Sequence, residues 1–158
     1  MRAIIVYDSF FGNTEQIARA IGSGLGSQVD VEIFRVSDVK PGELTKVELL
    51  IVGSPTRAFR PTVAVNGLLR KIPADGLRGV KVAAFDTGIS MDDMGSPILR
   101  LLARLFGYAA KPISERLKKK GGNVIIPPQG FFVKGTKGPL KEGELERAAD
   151  WAKRIMAM

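Results

Sequence analysis

The run Ala3-Ile4-Ile5-Val6-Tyr7-Asp8-Ser9-Phe10-Phe11-Gly12-Asn13-Thr14 decides how this chain folds. It begins with consecutive apolar residues, mostly β-branched, as expected of a strand buried on both faces within a helix-covered parallel sheet. A polar turn containing glycine follows. Ile17, Ile21 and Leu25 then recur every four residues, the spacing of an amphipathic helix. Asn13 is the expected N-cap of that helix, and Gly22, Gly24 and Gly26 are expected to end it.

The alternation continues along the chain. Further strand-like runs are Val29–Val36, Val47–Val52, Val80–Phe85 and Asn123–Ile126. In Val29–Val36, Val29, Val31 and Ile33 alternate with Asp30 and Glu32, which suits a half-exposed edge strand. Helical stripes lie between the runs: Val65, Leu68, Leu69 and Ile72; then Ile98, Leu101, Leu102 and Leu105. A break at Gly107 and Lys111-Pro112 precedes a helix over Ile113–Lys120. The last helix opens with Glu142, Glu144 and Glu146 and closes with Lys153 and Arg154, matching the macrodipole. Its expected buried stripe is Leu145, Ala148, Ala152 and Ile155. Only Pro41–Thr45 is available between the second and third strands, room for one helical turn. This pattern predicts a single domain over residues 1–158, an α/β fold built as a three-layer α/β/α sandwich around a parallel sheet.

Composition narrows the chemistry. The chain has no cysteine and no histidine. That removes disulfides, thiolate and imidazole metal sites, and the Ser-His-Asp and Cys-His nucleophile systems. Chemistry must come from carboxylates, hydroxyls, amides, lysine, arginine or a borrowed cofactor. The net charge of +8 is uneven: residues 97–141 hold ten bases and one acid, leaving the rest of the chain at −1. A basic segment of this kind favours an anionic partner or forms a solvated helix end. No apolar run approaches the roughly 20 residues of a membrane span, and Ala3–Tyr7 is too short for a signal-peptide core. The expected location is the cytoplasm.

In an open parallel sheet, ligands bind beyond the carboxyl ends of the strands, where the strand order reverses. After the first strand, Ser9, Asn13 and Thr14 offer hydroxyl and amide groups, and Gly12 lets backbone approach a ligand. Hydroxyls and free amides at a helix N-terminus suit a phosphate monoester. The loop contains no lysine or arginine, so dipoles and hydrogen bonds would hold the anion. An ordinary capped strand-to-helix turn would have the same outline.

At this loop the sequence resembles the flavodoxin family. The family's phosphate signature is Thr/Ser-x-Thr-Gly-x-Thr, and Ser9-Phe10-Phe11-Gly12-Asn13-Thr14 matches it except at Phe11. Gly53-Ser54-Pro55-Thr56, after the third strand, is similar to the start of the family's first flavin-flanking loop. The resemblance implies a five-stranded sheet of order 2-1-3-4-5 and noncovalently bound FMN. It further implies that Ser9, Phe10, Phe11, Gly12, Asn13 and Thr14 clasp the FMN phosphate. Ser54, Pro55, Thr56 and Arg57 would lie along the ribityl chain and ring, Phe59 would cover a ring face, and Asp86-Thr87-Gly88 would pass the pyrimidine edge.

The third loop, Asp86–Met94, departs from the family pattern because it has no aromatic residue; Met91 or Met94 could pack on a flavin or simply fill gaps. The Asp92-Asp93 pair lacks further ligands for a metal. Flavodoxins are characteristically acidic, whereas this chain is basic, which should stabilise an anionic reduced flavin and raise its potential. The implied function is electron transfer through FMN, with an acidic redox protein as partner. The alternative is a flavodoxin-fold module that binds no flavin and uses the phosphate-type loop or the basic surface for a partner. Nucleic acid is not expected, since Lys118–Lys120 lacks interleaved aromatics.

A receiver domain shares the topology but needs paired acids after the first strand, an aspartate ending the third and a lysine after the fifth. Here those positions hold a lone Asp8, Gly53-Ser54 and Pro127-Pro128. Gly22–Gly26 follows a helix rather than opening one, so it is not a dinucleotide fingerprint.

Overall fold

The computed structural model describes residues 1–158. Its strands are β1 (Arg2–Tyr7), β2 (Asp30–Arg35), β3 (Leu49–Pro55), β4 (Lys81–Ile89), β5 (Asn123–Val124) and β6 (Gln129–Val133). Its helices are α1 (Asn13–Gly24), α2 (Val63–Lys71), α3 (Pro97–Phe106), α4 (Ala110–Lys119) and α5 (Glu144–Met156). All strand pairs are parallel, in the order β2-β1-β3-β4-β5, as expected. The chain therefore has the α/β/α architecture that its alternating pattern specified.

β1 and β3 run through the middle of the sheet, so their side chains feed two cores. On one face Ile4, Val6, Leu50, Val52, Val82 and Ala84 meet α2 and α4 through Val65, Leu69, Ile113 and Leu117. On the other, Ala3, Ile5, Ile51 and Phe85 meet α1 and α5 through Ile17, Ile21, Ala148 and Trp151. β2 lies at the sheet edge and is half-buried, in line with its alternating sequence. The short helix between β2 and β3 is a 3₁₀ segment, Pro41–Lys46.

Several local expectations need correction. The fifth strand is not Asn123–Ile126. It stops at Val124, and after Pro127-Pro128 a second piece, β6, resumes pairing with β4 from Phe85 to Ile89. Proline has no N–H for the ladder, so the two prolines interrupt this edge position. Glu144 at the start of α5 holds β6 in place. Its Oε2 accepts from the Phe132 N–H at 2.6 Å, while Arg147 Nη2 donates to the Gly130 carbonyl at 2.7 Å.

Gly22 does not end α1 but lies inside it, whereas Gly24 is its last residue and Gly26, with φ of +94°, follows just beyond. A Cβ at Gly22 would meet Ile33 Cδ1 at 2.9 Å, and one at Gly24 would meet the Ala149 carbonyl at 2.5 Å. These glycines let α1 approach β2 and α5 closely. Leu145 is exposed rather than part of the α5 stripe, and Trp151 fills that place. The α3 stripe also departs from expectation: Ile98, Leu101 and Leu105 are exposed, and Ala103 is the only buried residue of α3.

Candidate functional site

The sheet brings the ends of β1, β3 and β4 together, and the loops leaving them enclose a cleft of about 400 Å³. That volume is within the range of small-ligand sites. Ser9, Phe10, Phe11, Asn13, Thr14, Pro55, Thr56, Arg57, Phe59, Thr87 and Gly88 line it, so most of the residues singled out from sequence converge on one cleft.

At one end is the loop between β1 and α1. Gly12 holds the N-cap position of α1 with φ of +90°, a left-handed conformation that glycine takes without strain. It displaces Asn13 from the expected capping role; the Asn13 side chain instead donates to the Lys137 carbonyl at 3.2 Å. The Gly12 N–H donates to Ser9 Oγ at 3.0 Å, and the Ser9 N–H to Asp8 Oδ1 at 2.9 Å. The backbone N–H groups of Phe10, Phe11, Asn13, Thr14 and Glu15 have no protein acceptor. Thr14 Oγ1 and Thr87 Oγ1 share a buried hydrogen bond of 2.7 Å, which leaves one hydroxyl proton to donate elsewhere. A helix N-terminus ringed by free amides and hydroxyls is an anion cradle. The cation that supports it comes from outside the loop: Arg35, at the end of β2, donates to the Ser9 carbonyl at 2.8 Å and pairs with Glu15 at 3.2 Å.

The wider end of the cleft is apolar and aromatic. Arg57 and Arg60 close a two-residue hairpin with paired backbone hydrogen bonds of 2.8 and 3.0 Å. Its central residues, Ala58 and Phe59, have φ of 48° and 66°. Such hairpins ordinarily take Asn-Gly, and each non-glycine residue in this region costs about 1–2 kcal/mol. The strain presents Phe59 to the cleft, where it also packs on Phe106 of α3 with ring centroids 6.3 Å apart.

The aromatic residue absent from the Asp86–Met94 loop is supplied by Tyr108, just before α4. Tyr108 lines the cleft beside Gly88 and donates its hydroxyl to the Ile89 carbonyl at 2.9 Å. The Ala109 N–H donates to Thr56 Oγ1 at 3.0 Å and the Ala110 N–H to Asp86 Oδ2 at 2.9 Å. The start of α4 is thus tied to both flanking loops, which fixes the Tyr108 ring. Sequence alone does not single out Tyr108, because only the fold brings the α3–α4 junction to the end of β4. Met94, Leu99, Val133 and Thr136 complete the wall; Met94 is a flavin contact weighed from sequence, and the other three carry no local signal.

Gly12, Ser54 and Asp86 do not line the cleft. Gly12 shapes the loop from behind. Ser54 is buried; its hydroxyl donates to the Pro55 carbonyl and accepts from the Thr62 N–H, so it braces the turn. Asp86 is buried beneath the floor. Burial pushes its pKa up to about 7 against the opposing Ala110 hydrogen bond, and its Oδ1 has no partner. Arg57 is accordingly the only charged residue in the lining. Asp93 forms an ion pair with Lys141, which occupies one carboxylate of the Asp92-Asp93 pair.

The basic segment is not one patch. Lys120 Nζ caps the end of α2 by donating to the Ile72 carbonyl at 2.6 Å, and Arg116 bonds Asn66 at 2.6 Å. Together with the Lys141–Asp93 pair, these bases serve the fold, whereas Arg100 and Arg104 on α3 form no ion pair.

The sequence matches the flavodoxin family model over residues 5–151. No curated protein matches it. Among solved structures, a flavodoxin from the domain Archaea superposes with a TM-score of 0.78 at 27% identity, over 99% of this chain and 97% of that one. Flavodoxin 1 from Bacillus cereus gives 0.79 at 16% identity, over 99% and 98%. Rubredoxin oxygen:oxidoreductase from Desulfovibrio gigas gives 0.73 at 22% identity, over 99% of this chain and 35% of that one. No helix is long and apolar enough to cross a membrane.

Proposed function

The chain belongs to the flavodoxin family, and on that premise we propose that its cleft holds FMN noncovalently and that the protein carries electrons to or from an acidic redox protein. One observation carries this reading: an anion cradle of free amides opens directly into an apolar, aromatic cleft at the ends of β1, β3 and β4. A phosphate monoester joined to a flat hydrophobic ring matches both halves, and neither half needs histidine or cysteine.

The free amides of Phe10, Phe11, Asn13, Thr14 and Glu15, with the hydroxyls of Ser9 and Thr14, would hold the phosphate. Pro55, Thr56 and Arg57 would line the ribityl chain and ring, Thr87 and Gly88 the pyrimidine edge, and Phe59 and Tyr108 the ring faces. When bound, FMN would supply one- and two-electron chemistry that no side chain of this protein offers. The residues around it exclude water and fix its orientation.

The lining holds one cation and no carboxylate. Arg57 therefore favours the flavin form carrying the more negative charge. Arg57→Gln should lower the two-electron midpoint potential by about 30 mV, equivalent to roughly 1.4 kcal/mol, as read by redox titration. An unchanged potential would remove Arg57 from the account.

The whole proposal is tested by purifying the protein and acid-releasing its flavin. The expected result is a yellow protein yielding one FMN per chain, or a colourless one that takes up a stoichiometric amount of added FMN. A colourless protein that takes up none would leave the fold without the proposed cofactor.

A further inference from the structure

We propose that the solvent-facing side of α3 is a docking surface for an acidic redox protein whose contact face has an apolar centre ringed by carboxylates; this rests on the electron-carrier reading.

Ile98, Leu101 and Leu105 recur at i, i+3 and i+7 of α3 and are 69%, 55% and 68% exposed. A stripe of that spacing normally faces a core, and exposed apolar surface edged by charge marks interaction sites. The stripe adjoins the cleft. Leu99, on the same helix, lines it, and Phe106 packs on Phe59 at its wall. Phe10 and Phe11 stand exposed at the cleft, with the Arg57 guanidinium 5.0 Å from the Phe10 ring centroid. A protein seated on α3 would thus lie beside the flavin site, where a carrier must present its cofactor.

Charge selects the occupant. Arg57, Arg60, Arg100 and Arg104 are exposed and none is in an ion pair; Arg70 on α2 and Arg154 on α5 are exposed and unpaired too, but only the first four sit on α3 or on the hairpin whose Phe59 packs against it. α3 carries no acid. Of the acids just before it, Asp93 is held by Lys141 and only Asp92 is free. A second copy packed isologously on this stripe would set arginine against arginine, and like charges brought together oppose the contact. A partner carrying carboxylates around an apolar centre meets both features, and complementary charge would also speed its approach. A lipid surface would cover the cleft along with the stripe, closing the path to a protein partner.

The test uses the FMN-loaded protein with an acidic ferredoxin as probe and basic cytochrome c as comparator. Binding is measured by calorimetry at low and high ionic strength. The variants are Leu101→Ser/Leu105→Ser and Arg100→Gln/Arg104→Gln, none of which lies in the cleft. Ferredoxin binding should weaken at least tenfold in each double variant and on raising the salt, with FMN affinity unchanged and cytochrome c bound more weakly than ferredoxin. Equal ferredoxin binding by variants and wild type, or none by a wild type that holds FMN, would overturn the docking surface alone. A wild type that binds no FMN would overturn the carrier reading and this proposal with it. Sedimentation as a dimer that the leucine variant dissociates would assign the stripe to a second copy instead. Salt-sensitive binding to anionic vesicles that the same variant abolishes would assign it to a lipid surface.

Discussion

Asp86→Asn should stabilise the fold at about pH 8 by on the order of 3 kcal/mol and remove much of the stability loss on going from acid to neutral pH. Asp86 lies under the cleft floor at the N-terminus of α4. The Ala110 N–H satisfies one of its oxygens, and the other has no partner. Burial raises its pKa from 3.8 to about 7. With the native value above the unfolded one, the folded state binds more protons than the unfolded state between those values. The contribution is therefore fully present below pH 3.8, declines as pH rises, and is lost above about pH 7. A tenfold change in acidity is worth about 1.4 kcal/mol, so the rise from 3.8 to about 7 sets an upper bound of about 4 kcal/mol. Asparagine keeps an acceptor for the Ala110 N–H and carries no charge to desolvate. Urea unfolding from acid to mildly alkaline pH checks this. The wild-type and variant curves should diverge between pH 3.8 and about 7 and keep a constant separation above that, whereas curves parallel throughout would show that Asp86 is not buried as an uncompensated acid.

The second large effect concerns the cradle. Ser9→Ala with Thr14→Val should weaken FMN by about 10²–10⁴-fold, since each removed hydroxyl would bond a charged phosphate at roughly 1.5–3 kcal/mol. Riboflavin, which lacks the phosphate, should bind the double variant as it binds the wild type. An equal loss for both ligands would mean that the changes damage the cleft through the Thr14–Thr87 and Ser9–Gly12 hydrogen bonds. No loss for FMN would remove the phosphate assignment.

The sheet is legible in the sequence because its central strands are mostly apolar runs: Ala3–Tyr7 throughout, Val47–Val52 and Val80–Phe85 beyond the charged Glu48 and Lys81 near their starts, as strands buried on both faces should be. The cradle is legible for a similar reason, since its residues are contiguous in the chain. What stays hidden is assembled across distance. Tyr108 follows an exposed helix and joins the cleft only because α4 is anchored by Thr56 and Asp86. β6 is masked by Pro127-Pro128, although Phe131 and Val133 alternate as an inward face should. The α3 stripe is a true stripe, but periodicity reports that a helix has an apolar face and is silent on what covers it. Ser54 and Asp86 occupy positions where the family pattern points to the ligand, yet their side chains turn into the protein to brace the loops.

The most direct measurement is a parallel titration of the apoprotein with FMN and riboflavin, followed by flavin fluorescence. A cradle opening into an aromatic cleft predicts saturation at one FMN per chain in the micromolar range or tighter, with riboflavin bound at least about 100-fold more weakly for want of its charge-assisted hydrogen bonds. Equal affinity for the two flavins, or no saturation with FMN, would contradict it.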